Sequence, residues 1–97
     1  MNIKRSKNFS DKLSDILIFI SKDSGNKAKN FKNTLKSTIN SLTNMPYKFR
    51  KSIYFDNENI RDFIFKGYCI PYFINEEKNE ITLLNIIKWD YLSIQND

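Results

Sequence analysis

Residues Ile60–Ile74 read IRDFIFKGYCIPYFI, and this stretch repeats with a period of two. Ile60, Asp62 and Ile64 alternate with Arg61, Phe63 and Phe65; after Lys66-Gly67, Tyr68, Ile70, Tyr72 and Ile74 alternate with Cys69, Pro71 and Phe73. Successive side chains of an extended chain point to opposite faces, so alternation among β-branched and aromatic residues predicts two strands joined by a turn at Lys66-Gly67. Glu76-Glu77-Lys78-Asn79 predicts a second turn, and Ile81–Lys88 a third long strand. Pro71 has no N–H to give to a ladder, so a bulge is expected within Tyr68–Ile74 if that strand is central.

Upstream the period becomes helical. Leu13, Ile16, Leu17 and Ile20 follow the i, i+3, i+4, i+7 rule, with Ser10 as the expected N-cap and Asp11 in the first turn, which predicts a helix over about 11–22. Asp23-Ser24-Gly25 is expected to stop it, Gly25 being free to take positive φ. Ala28, Phe31, Leu35, Ile39 and Leu42 line one face of a second helix from about Asn26 to Thr43, closed by Met45-Pro46. Residues 2–8 read as a short edge strand guarded by Lys4, Arg5 and Lys7. The expected fold class is α+β: an N-terminal edge strand, then an antiparallel helix hairpin packed on a three- to four-stranded antiparallel sheet, with residues 1–97 as one domain.

Composition removes much chemistry. Of 97 residues none is His and one is Cys, Cys69, so an internal disulfide, a Cys/His metal site and His-based acid–base or nucleophilic catalysis are excluded. No metal or cofactor is expected. The longest apolar run, Ile16–Ile20, is far short of a membrane span. The basic N-terminus lacks the apolar run of a secretory signal, so no membrane partner and a reducing cytoplasmic compartment are the expectation.

Charge is polarised. Residues 1–51 hold twelve basic side chains against three acids, +9, while residues 52–97 hold four against eight, −4, giving the chain its net +5. Such a division predicts a basic face for an acidic partner or a phosphate backbone. Lys29, Lys32 and Lys36 form a ridge beside the apolar stripe of the second helix. Lys48, Arg50 and Lys51, interleaved with Tyr47 and Phe49, make a basic–aromatic loop of the kind that meets phosphates and stacks on bases. Arg61 is the charged strand residue singled out, with Asp62, Glu58 or a tail carboxylate as its expected ion-pair partners if its role is structural. Cys69 reads as a small, inert hydrophobe.

The order of these elements, with Ala28, Phe31, Leu35, Leu42 and Pro46 before Arg50, resembles the RelE/ParE superfamily of bacterial toxins. So does Ile60-Arg61 followed by Gly67-Tyr68-Cys69-Ile70-Pro71-Tyr72 and a last apolar strand ending in Lys88; the likeness runs from about Lys4 to Tyr91. The resemblance implies the toxin of a type II toxin–antitoxin pair, silenced by a cognate antitoxin protein. It also implies one of two targets: DNA gyrase, bound by the ParE-like branch, or mRNA on the ribosome, cleaved by the RelE-like branch. A RelE-like endonuclease would have to use Arg61, Lys88 and Tyr91 with the loop cations Lys48, Arg50 and Lys51 as phosphate or target contacts. That branch commonly has Arg after the Tyr of its Gly-Tyr pair, where this chain has Cys69, and two alternating Lys in the strand where this chain has Arg61 and Asp62. The helix pair is also long. The resemblance therefore favours the ParE-like branch, with Lys29, Lys32 and Lys36 as the expected antitoxin contacts. A degenerate member that binds its antitoxin but poisons nothing is the third alternative.

Overall fold

The computed structural model describes residues 1–89 of the chain. Strand β1 (Asn2–Arg5) leads directly into helix α1 (Lys7–Asp23) and helix α2 (Gly25–Ser41). A long connection then reaches β2 (Ile60–Phe65), β3 (Tyr68–Asn75), β4 (Glu80–Leu83) and β5 (Ile87–Lys88). The sheet runs β1-β4-β3-β2, with β5 beside β3 in continuation of β4. It is mostly antiparallel, but β1 pairs with β4 in parallel, Ile3 beside Ile81. The fully antiparallel sheet expected from sequence is corrected at this edge.

Both helices are set by serines. Ser6, not Ser10, caps α1: its hydroxyl accepts the Phe9 N–H at 3.0 Å and donates to the Leu84 carbonyl at 2.8 Å. One side chain thus ends the helix and ties it to the end of β4, and the helix starts four residues early because Phe9 can then be buried. Ser24 joins the helices alone. It is extended (φ −161, ψ 123), its N–H bonds to the Ile20 carbonyl at 3.0 Å, and its hydroxyl accepts the Lys27 N–H at 3.3 Å. Gly25 is therefore the first residue of α2, and the positive φ expected there occurs instead at Lys66 (47°), Gly67 (85°) and Asn79 (54°). Two consecutive positive φ values at Lys66-Gly67 make the tight turn whose twist matches a right-handed hairpin.

The expected strand Ile81–Lys88 is broken. Tyr72 faces Leu83 and Cys69 faces Ile87, so Leu84, Asn85 and Ile86 lie opposite only Ile70 and Pro71. Leu84 N–H still reaches the Pro71 carbonyl at 2.9 Å. Pro71 has no N–H on this edge, and the ladder gives way in the neighbouring chain. β3 itself stays continuous against β2, so the expected bulge lies opposite Pro71 and not within its own strand.

Register assigns the two faces of the sheet. Phe63 and Phe65, Ile70, Tyr72 and Ile74, Ile81 and Leu83 point to the helices and pack with Phe9 and Leu13 of α1 and Phe31, Leu35 and Ile39 of α2. Each such side chain contributes roughly 1.5–3 kcal/mol of burial. Ile60, Asp62 and Ile64 of β2, with Cys69, Pro71 and Phe73 of β3, point the other way.

Candidate functional site: the connection over the back of the sheet

The connection from Leu42 to Asn59 is fastened at several points. The Tyr72 hydroxyl donates to the Pro46 carbonyl. Arg61 donates to the carbonyls of Phe49 at 3.2 Å and Glu58 at 3.1 Å, and its guanidinium lies 5.1 Å from the Tyr47 ring centre. Arg61 shares the helix-side face with Phe63 and Phe65, so Asp62 points away from it. Among the described residues Arg61 pairs with neither the Asp62 nor the Glu58 carboxylate, the tail carboxylates lying outside them, and it instead holds both ends of the connection. Between those ends Asp62 N–H bonds to the Arg50 carbonyl at 3.1 Å and Ser52 N–H to the Ile60 carbonyl at 2.8 Å, pairing the connection with the outer edge of β2.

Asp62 organises the back face. It is 2% exposed, and its Oδ2 accepts the Ile53 N–H at 3.0 Å and Arg50 Nη2 at 3.4 Å. Its Oδ1 has no hydrogen-bond partner among the described residues. Arg50 continues outward to Trp89, 4.7 Å from the ring centre. A buried carboxylate needs such a partner, since leaving it unpaired costs several kcal/mol. Burial and the Asp62 charge push the neighbouring Cys69 thiol up to about 12, with Arg50 opposing, which makes this thiol a poor nucleophile. Burial, Cys69 and Asp62 also raise Tyr54, and burial pushes Tyr72 up to about 12.

The turn clamped by Asp62 displays Ile53, Tyr54 and Phe55, all exposed, around a shallow open depression of about 420 Å³. Tyr54 N–H bonds to Ser52 Oγ at 3.1 Å, which fixes the turn from within. Exposed Ile64 lies on the same side of the sheet, opposite Cys69.

The residues singled out from sequence are dispersed. Lys29, Lys32 and Lys36 are exposed on α2 and enter no ion pair among the described residues. Lys48 sits 5.5 Å from the Phe49 ring centre, Arg50 serves Asp62 and Trp89, and Lys51 lies 3.8 Å from Asp56. Arg61 is level with Tyr72 and exposed Lys88 with Tyr68, about 13 Å apart along β3 at the usual strand rise. Tyr91 lies outside the described residues. Sequence reasoning missed Asp62 as the hub and Ile53-Tyr54-Phe55 as a displayed group. The available signal was one carboxylate inside an otherwise apolar alternation.

A family profile described as "ParE toxin of type II toxin-antitoxin system, parDE" matches residues 3–88, nearly the whole chain. The chain belongs to the ParE toxin family. The fold agrees. A solved structure titled "Chromosomal ParDE TA system from P. aeruginosa" contains a chain similar to this one with a TM-score of 0.74 at 16% identity, over 93% of this chain and 97% of that one. No curated protein matches significantly. No helix among the described residues is long and apolar enough to cross a membrane. As a ParE-family toxin the chain carries the fold with a long helix pair over one face of the sheet, and the Asp62-clamped connection over the other.

Proposed function

We propose that this toxin arrests growth in the cytoplasm by binding DNA gyrase, and that a cognate antitoxin restrains it through the Lys29, Lys32 and Lys36 ridge. Membership of the ParE family supports the toxin role. One observation carries the choice of binding over hydrolysis: the two arginines at the β2 edge are committed to the chain's own groups. Arg61 serves two carbonyls and Arg50 a buried carboxylate, while Lys88 lies a strand's length from Arg61. Phosphate chemistry needs several such groups converging on one oxyanion. The ridge on α2, by contrast, has no neutralising partner among the described residues, and an acidic segment of the antitoxin fits it.

Induction in bacteria tests this, with plasmid supercoiling and the SOS response followed beside mRNA cleavage at the ribosomal A site. Growth arrest with DNA damage and intact transcripts is expected. In-frame mRNA cuts lost on Arg61 or Lys88 substitution would move the assignment to a RelE-like nuclease, and unaffected growth would mark a degenerate toxin.

A further inference from the structure

Among the described residues Phe19 of α1 is the most exposed large apolar side chain, at 72%, and its neighbour Ile18 is 58% exposed. The rest of their apolar run is accounted for, since Ile16, Leu17 and Ile20 pack against the core. Helical spacing defines what surrounds the other two. Asp15, Ile18, Phe19 and Lys22 fall at i, i+3, i+4 and i+7, so they form one continuous stripe along the helix, and every member is exposed. Neither Asp15 nor Lys22 enters an ion pair among the described residues. Ser14 and Ser21, both exposed, flank Ile18 at i−4 and i+3 and leave room beside it for a large ring.

The stripe complements itself. Along α1 it reads acid, two apolar residues, base; turned end for end about an axis between Ile18 and Phe19 it reads base, two apolar residues, acid. Two copies of α1 laid antiparallel about that axis set Phe19 of each against Ile18 of the other, and Asp15 against Lys22 twice. α1 carries three Lys and three Asp, so it is neutral within a chain of net charge +5 and can meet itself without repulsion, as the acid-free α2 cannot. Other occupants suit the stripe less. An acidic antitoxin segment would meet Asp15, nucleic acid finds no excess of cations on α1, and a lipid surface would have to accept Asp11 and Asp15 on the same side of the helix. The overlap runs from Asp11 and Lys12 on one copy to Gly25 and Asn26 on the other, about 20 Å of helix that covers on the order of 400–500 Å² on each copy. That area belongs to a weak, concentration-dependent pair.

We infer that the outer face of α1, centred on Ile18 and Phe19, is a two-fold contact between copies of this chain, with Asp15 and Lys22 setting its antiparallel register. The apolar pair supplies the affinity and the exposed charges the orientation. This goes beyond the toxin reading and does not depend on its target.

Sedimentation equilibrium of the full chain at low salt tests it, with thermal melting of each variant alongside. Wild type is expected to dimerise with a Kd on the order of 10–100 μM. Ile18→Ser/Phe19→Ser should weaken the pair about tenfold or more and melt as wild type does. Asp15→Lys and Lys22→Asp should each weaken self-association about threefold or more, because each sets like charges opposite one another. An equimolar mixture of these two variants, and the doubly swapped Asp15→Lys/Lys22→Asp, should associate as wild type does. Only folded chains can show that recovery, so it separates a lost contact from a lost fold. A wild-type chain that stays monomeric at about 0.5 mM overturns the inference. So does a serine variant that dimerises as tightly as wild type, or a mixture that associates no better than its components. A serine variant that keeps self-association but loses affinity for the cognate antitoxin, or for phosphatidylcholine vesicles, overturns it too and gives the stripe to that partner.

Discussion

The two faces of the sheet solve the same problem by different means. The helix side is closed by interdigitated apolar side chains, from Phe9 and Leu35 to Tyr72 and Leu83. The back is covered only in part, around Asp62 of β2, by one stretch of irregular chain held by a carboxylate, a guanidinium and a few backbone bonds. Apolar packing is non-directional and tolerates drift; a buried carboxylate with two defined donors does not. The difference teaches that the helix side supplies stability and the back side supplies a fixed shape.

Substitution in the apolar layer sharpens this contrast most. Leu35→Ala removes a fully buried side chain between α2 and the sheet and is expected to cost about 2–5 kcal/mol in denaturant unfolding. Asp62→Ala, on the other face, is expected to cost less, about 1–3 kcal/mol, because half-exposed Arg50 recovers water while the Ile53 amide loses its acceptor. Hydrogen exchange at Ile53 and Tyr54 should then speed up with little change in the helices. A uniform rise across the molecule would break the comparison.

Alkaline pH probes both faces at once. Cys69 on the back and Tyr72 on the front are each pushed up to about 12 from ordinary values of 9.0 and 10.0. Above about 9 the unfolded chain gives up protons that the folded chain keeps, so stability is full below that pH and falls as pH rises towards 12. Thermal melts between these limits should show the decline, and Cys69→Ala should reduce it. A cap substitution is smaller still: Ser24→Ala, at the one-residue joint between the helices, is expected to cost about 1 kcal/mol by equilibrium unfolding. Ile64→Ser should lie within about 0.5 kcal/mol of wild type, since its side chain is half exposed.

Periodicity was enough to find both helices and the hairpin of β2 and β3, but it ran β4 and β5 together as one strand. The β2 alternation predicts Ile60–Phe65 as observed, and the stripe Phe31, Leu35, Ile39 lies on the sheet. What period cannot express is which distant group a residue meets. Ser6 and Ser10 are equally good caps locally, and the Leu84 carbonyl decides between them. Pro71 announced a break but not which of the two paired chains would carry it. Asp62 looked like a partner for its neighbour Arg61, yet adjacent strand residues face opposite ways, and only the return of the connection over the back brings Arg50 and Ile53 to it.

The parallel pairing of β1 with β4 has a bearing on how the chain is born. Residues 2–5 find their hydrogen-bonding neighbours only when residues 80–83 exist, so the first strand made is among the last to be seated. Closure of that contact also supplies the Leu84 carbonyl that secures the start of α1. A nascent chain that stops short of residues 80–83 carries a helix hairpin whose leading strand has no neighbour in the sheet.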